Sequence, residues 1–63
     1  MKYKVSTKTL TEVWDSETLI KNHKYNKKLC NMIKKGVDTI VYQLTDASEI
    51  VHTIIFKRLE NEN

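Results

Sequence analysis

Residues 38–58 read DTIVYQLTDASEIVHTIIFKR, and the way this stretch is read decides the fold. Two β-rich runs, Asp38 to Thr45 and Glu49 to Arg58, flank Asp46-Ala47-Ser48. Short polar residues between two such runs are the signature of a hairpin. With side chains alternating at period 2, Ile40, Tyr42 and Leu44 share one face of the first run and Val41 lies on the other. Ile50, Ile54 and Phe56 share one face of the second run, with Val51 and Ile55 opposite. An antiparallel sheet covered on one side shows polar residues on its open side. This ribbon is apolar on both sides, which predicts a cover over the second face.

Working back toward the N-terminus, Lys34-Lys35-Gly36 is a helix stop. Cations suit the negative end of a helix, and Gly accepts the left-handed conformation that ends one. From Glu17 to Lys35 the pattern is helical: Leu19, Tyr25, Leu29, Cys30, Met32 and Ile33 fall within one arc at 100° per residue. Lys21, Lys24, Lys27, Lys28, Lys34 and Lys35 fall on the opposite arc, and Ile20 is misplaced among them. Asn22 and Asn26 dilute the apolar face, so a break between His23 and Asn26 is open, with Asn26 capping a second turn and Tyr25 packing as its staple. Asp15-Ser16-Glu17 supplies a start, with a capping side chain and an acid in the first turn.

Further back, residues 2–8 alternate strictly, Tyr3, Val5 and Thr7 on one side and Lys2, Lys4, Ser6 and Lys8 on the other. That is a half-buried strand. Thr11 to Trp14 reads as its hairpin partner, although Thr9-Leu10-Thr11-Glu12 also fits a capping box that would open a helix early. The expected fold is α+β: one helix across a small antiparallel sheet, in the order ββαββ, or βαββ if the first hairpin fails. Residues 1–59 form the domain, and residues 60–63 a flexible polar tail.

The 63 residues leave room for one domain with a small net stability. Cys30 is the only cysteine, which excludes an intrachain disulfide and fits a reducing, cytoplasmic setting. No stretch approaches the roughly 20 apolar residues of a membrane span. Richness in Lys, Asn and Ile, with no Pro, suits an AT-rich genome such as that of a low-GC bacterium or its phage.

Catalysis finds little footing. One Gly cannot build a phosphate-binding loop, and a nucleophile needs a base and an orienting group in a pocket. One Cys and two His fall short of a zinc set, and no cofactor is expected. His52, on an apolar strand face, reads as a core or interface histidine, and Cys30 as a small hydrophobe.

The lysines are the functional signal. Thr18 to Val37 holds six Lys and no acid, whereas a face kept only for solubility usually mixes signs, since Glu and Lys four apart support each other. The sequence therefore points to a small non-enzymatic binding protein, such as a phage- or mobile-element-encoded inhibitor or regulator. It would engage an acidic protein surface through Lys21, Lys24, Lys27, Lys28, Lys34 and Lys35, with Trp14 as a core anchor or interface anchor. The terminal strands would offer open edges, and a second copy filling the uncovered face would make a homodimer. The alternative partner is nucleic acid, bound with little sequence preference because Arg58 is the only arginine.

Overall fold

The computed structural model describes residues 1–59; the expected tail at 60–63 lies outside them. Strands β1 (Lys2–Ser6) and β2 (Thr11–Asp15) form the first hairpin. Helices α1 (Ser16–Asn22) and α2 (Lys27–Lys34) follow, and β3 (Thr39–Thr45) and β4 (Val51–Leu59) form the second hairpin. The four strands make one antiparallel sheet in the order β2-β1-β4-β3. The α+β reading with two hairpins holds, and Thr11 to Asp15 is strand, not an early helix.

This order corrects one expectation. The terminal strands β1 and β4 pair with each other in the middle of the sheet, Val5 opposite Phe56. The open edges are β2 and β3.

The helical segment is two helices instead of one, because the polar run His23 to Asn26 breaks it. Asn26 caps α2, its side-chain oxygen accepting from the Leu29 N–H at 3.0 Å. The Cys30 thiol donates to the His23 carbonyl at 3.1 Å, and the His23 ring meets Phe56 edge-on at 6.1 Å. The break is thus held at its first residue, His23, by both its carbonyl and its ring, and at its last by the cap. It also resolves Ile20: with α1 set at its own phase, Ile20 packs against the core instead of standing among the lysines. Tyr25 does not act as a staple; it is 89% exposed. Asp15 occupies the cap position of α1, but its side chain makes no capping bond.

The stop at Gly36 is as expected. Gly36 has φ of 73°, its N–H donates to the Ile33 carbonyl at 3.1 Å, and the Val37 N–H donates to Met32 at 3.2 Å. These two bonds are the paired closure of a Schellman end. A Cβ there would stand 3.1 Å from the Met1 methyl, which would have to shift by a few tenths of an ångström, so it is chiefly the backbone that reserves the position for glycine.

One face of the sheet carries the core. Tyr3, Leu19, Leu29, Ile33, Ile40 and Phe56 are buried together, with Trp14, Met32, Tyr42 and Ile54 packed at the margin. Burying a large apolar side chain contributes roughly 1.5–3 kcal/mol, and four of these, Tyr3, Phe56, Leu29 and Ile33, are sealed completely. No polar or charged residue is buried among the described residues.

The apolar ribbon is only half covered. At about 1.5 Å per residue, the eight residues of α2 span about 12 Å, whereas the nine of β4 span about 30 Å at about 3.3 Å each. The hairpin overruns the helices. Leu44 and Ile50 are consequently exposed beyond the helices, beside an open groove of about 720 Å³ whose far wall is Thr7 to Thr9. On the opposite face Val41, Val51 and Ile55 are exposed at 61%, 56% and 41%. Within the described residues nothing covers that face.

Candidate functional site: the lysine face of the second helix

In α2 the buried side chains are Leu29, Cys30 and Ile33, all within one arc of the helix. The opposite arc is centred on Asn31. Its neighbours at i−4, i−3, i+3 and i+4 are Lys27, Lys28, Lys34 and Lys35, the four spacings that bring side chains together on a helix surface. The helical geometry extends to Lys35, whose N–H donates to the Asn31 carbonyl at 3.0 Å. A neutral residue therefore stands at the centre of a helix face that carries four lysines.

All four lysines are exposed. None forms an ion pair or hydrogen bond with the described residues; the only ion pairs there are His52 with Asp46 and Lys57 with Asp38, both in the second hairpin. Lys27 and Lys28 occupy the first turn of α2, which holds no acid. Cations at the positive end of a helix lose stability, each by about 0.3–1 kcal/mol. Lys34 and Lys35, at the other end, are favoured by the same dipole, so what the face costs is the crowding of like charge along it.

Lys24 and Tyr25 extend the surface from the turn before α2. The Lys24 ammonium lies 5.1 Å from the Tyr25 ring centre, within cation–π range. Lys21, on the last turn of α1, is also exposed. The six lysines expected to form the surface are thus all displayed, and Tyr25, assigned from its position on the apolar arc to the interior, is an exposed aromatic among them. Only the polar run around it, by breaking the helix, could have signalled this.

Trp14 does not join them. It is half-buried on β2, packed against the core and lining a small cavity of about 170 Å³ with Leu19, His23 and Phe56. Its role as an interface anchor is set aside in favour of the core. His52 is not a core histidine: it is exposed, its Nε2 lying 2.7 Å from an Asp46 carboxylate oxygen. The Asp46 carboxyl group is held below the ordinary carboxylate range, first by this His52 bond and then by the Ile50 N–H.

Among the described residues no group of three or more His, Cys, Asp or Glu is placed to hold a metal, and no helix is long and apolar enough to cross a membrane. No family model matches the chain, and no curated protein or solved structure is significantly similar to it.

Proposed function

We propose that this chain is a small non-enzymatic binding protein that engages an acidic protein surface through Lys21, Lys24, Lys27, Lys28, Lys34 and Lys35, with Tyr25 as the central aromatic contact. One observation carries this reading: four lysines surround Asn31 with no acid of the described residues to offset them, although two sit where the helix dipole opposes them. Like charges crowded on one helix face without an acid among them repel one another, and an acidic partner would offset that repulsion. An exposed Tyr within a charged surround has the anatomy of a protein interface, where aromatic residues supply contact and surrounding charges supply orientation and encounter rate.

Tyr25 beside Lys24 also favours a second reading, single-stranded nucleic acid, because a base can stack on an exposed ring flanked by cations. The absence of arginine from this surface argues for the protein partner, since base-edge recognition leans on the guanidinium fork.

Affinity capture from nuclease-treated host lysate separates the two. The protein-partner reading expects one acidic protein retained by the native chain and lost with Lys27→Glu/Lys35→Glu. Gel shift of labelled single-stranded oligonucleotides at low salt, abolished by Tyr25→Ala, would replace it with the nucleic-acid reading. Neither capture nor shift removes the binding function assigned to this face.

A further inference from the structure

The two edges of the sheet are not alike. Edge β2 is short, at five residues, and carries Glu12 and Asp15, the kind of charge that keeps edges from pairing. Edge β3 has seven residues, Thr-Ile-Val-Tyr-Gln-Leu-Thr, with no charge, no proline and no lysine. It is an unguarded edge.

Its free hydrogen-bonding groups can be assigned. Arg58 N–H donates to the Asp38 carbonyl at 2.8 Å and Asp46 N–H to the Ile50 carbonyl at 3.1 Å. With Ile40 opposite Phe56 and Tyr42 opposite Ile54, the even-numbered residues of this strand spend their backbone groups on β4. Thr39, Val41, Gln43 and Thr45 point theirs outward, and all four are exposed.

The strand is also a chemical palindrome about Tyr42. Thr39 mirrors Thr45, Ile40 mirrors Leu44, and Val41 is exchanged with Gln43. We infer that β3 pairs antiparallel with β3 of a second copy of this chain, about a two-fold axis at Tyr42, joining two four-stranded sheets into one of eight. Val41 then faces Gln43 of the second copy and the two exchange backbone bonds. Thr39 faces Thr45, and Leu44, 39% exposed in one subunit, gains Ile40 as its cross-strand neighbour. Every pair joins like chemistries of matched size or a neutral polar–apolar couple. Charge selects the same line of approach: each copy carries +3 and its helix lysines repel the other, whereas this edge is neutral. The inference stands apart from the lysine surface and does not depend on its partner.

Analytical ultracentrifugation from micromolar to millimolar concentration tests it. The native chain is expected to shift from its 7.4 kDa monomer to twice that mass. Val41→Lys/Gln43→Lys sets lysine against lysine at both mirrored pairs and is expected to weaken association by about tenfold or more. Val41→Lys/Gln43→Glu sets lysine against glutamate at the same pairs and is expected to keep the dimer. Because positions 41 and 43 are exposed, circular dichroism should show both variants folded. A native chain that stays monomeric throughout overturns the inference. So does a dimer indifferent to the double lysine, or one lost equally in both variants.

Discussion

The Tyr3 hydroxyl donates to the Val37 carbonyl at 3.0 Å, across 34 positions of sequence. It ties the first strand to the residue that follows the helical stop, and so fastens the end of α2 onto the sheet. The ring is completely buried, and burial raises the phenol's pKa above its ordinary value, with Arg58 opposing the shift. Tyr3→Phe keeps the ring and strands the carbonyl, which should cost about 1–2 kcal/mol, read as a lower urea midpoint with unchanged slope. The sign with pH follows from the raised value: the neutral phenol is the folded form, so its contribution is complete below pH about 10 and fades as pH climbs through the folded value.

The hairpin turn is a three-residue loop whose last member, Glu49, has φ of 64°. Such loops use a left-handed residue at this point and favour Gly there. Glu49→Gly should therefore stabilise the protein by about 1 kcal/mol, measured as a rise in thermal midpoint. A loss of stability would show that the Glu side chain compensates for its backbone.

Acid should loosen the same hairpin. Asp46 accepts from the Ser48 and Ile50 N–H groups at 2.8 and 3.1 Å and lies against His52, which lowers its pKa. Asp38 is lowered too, chiefly by the Lys57 ammonium at 2.9 Å. A carboxyl group with a depressed folded value contributes above its unfolded value of about 3.9 and loses that contribution as pH falls through the folded one. Thermal melts taken downward from about pH 5 should show a decline that is shallower in Asp46→Asn. An equal slope in both would remove Asp46 from the account.

The lysine face predicts an opposition between stability and binding. Lys28→Glu places an anion in the first turn of α2, where the helix dipole favours it, and should stabilise the fold by roughly 0.3–1 kcal/mol. The same substitution should abolish capture of the acidic partner. If stability rose while capture persisted, the ring around Asn31 would be an ordinary solvated surface.

Much of this was legible in the residues. Strict alternation at Lys2 to Ser6, the capping Asn26 and the left-handed Gly36 each state a local rule that the structure obeys. What escaped depended on relations between elements. Tyr25 belongs to the apolar arc only if the helix is continuous; once His23 is held against Phe56, the turn carries Tyr25 outward. The ribbon's two apolar faces were visible, but whether anything covers them depends on the helices' reach, and about 12 Å of helix cannot shelter about 30 Å of strand. Which strands form the edges followed from the pairing of β1 with β4, a long-range choice that no local pattern encodes.

The thiol of Cys30 gives the molecule its own clock. Cys30 is 5% exposed and its thiol donates to the His23 carbonyl in the segment before α2, so an aromatic disulfide reagent can reach it only while α1 and α2 stand apart. Where reclosing outruns the reagent, the modification rate divided by that of a free thiol is the fraction of molecules open at any moment. The strength with which the two helices hold together thus becomes a number obtainable in a cuvette, without denaturant and with no residue added or removed.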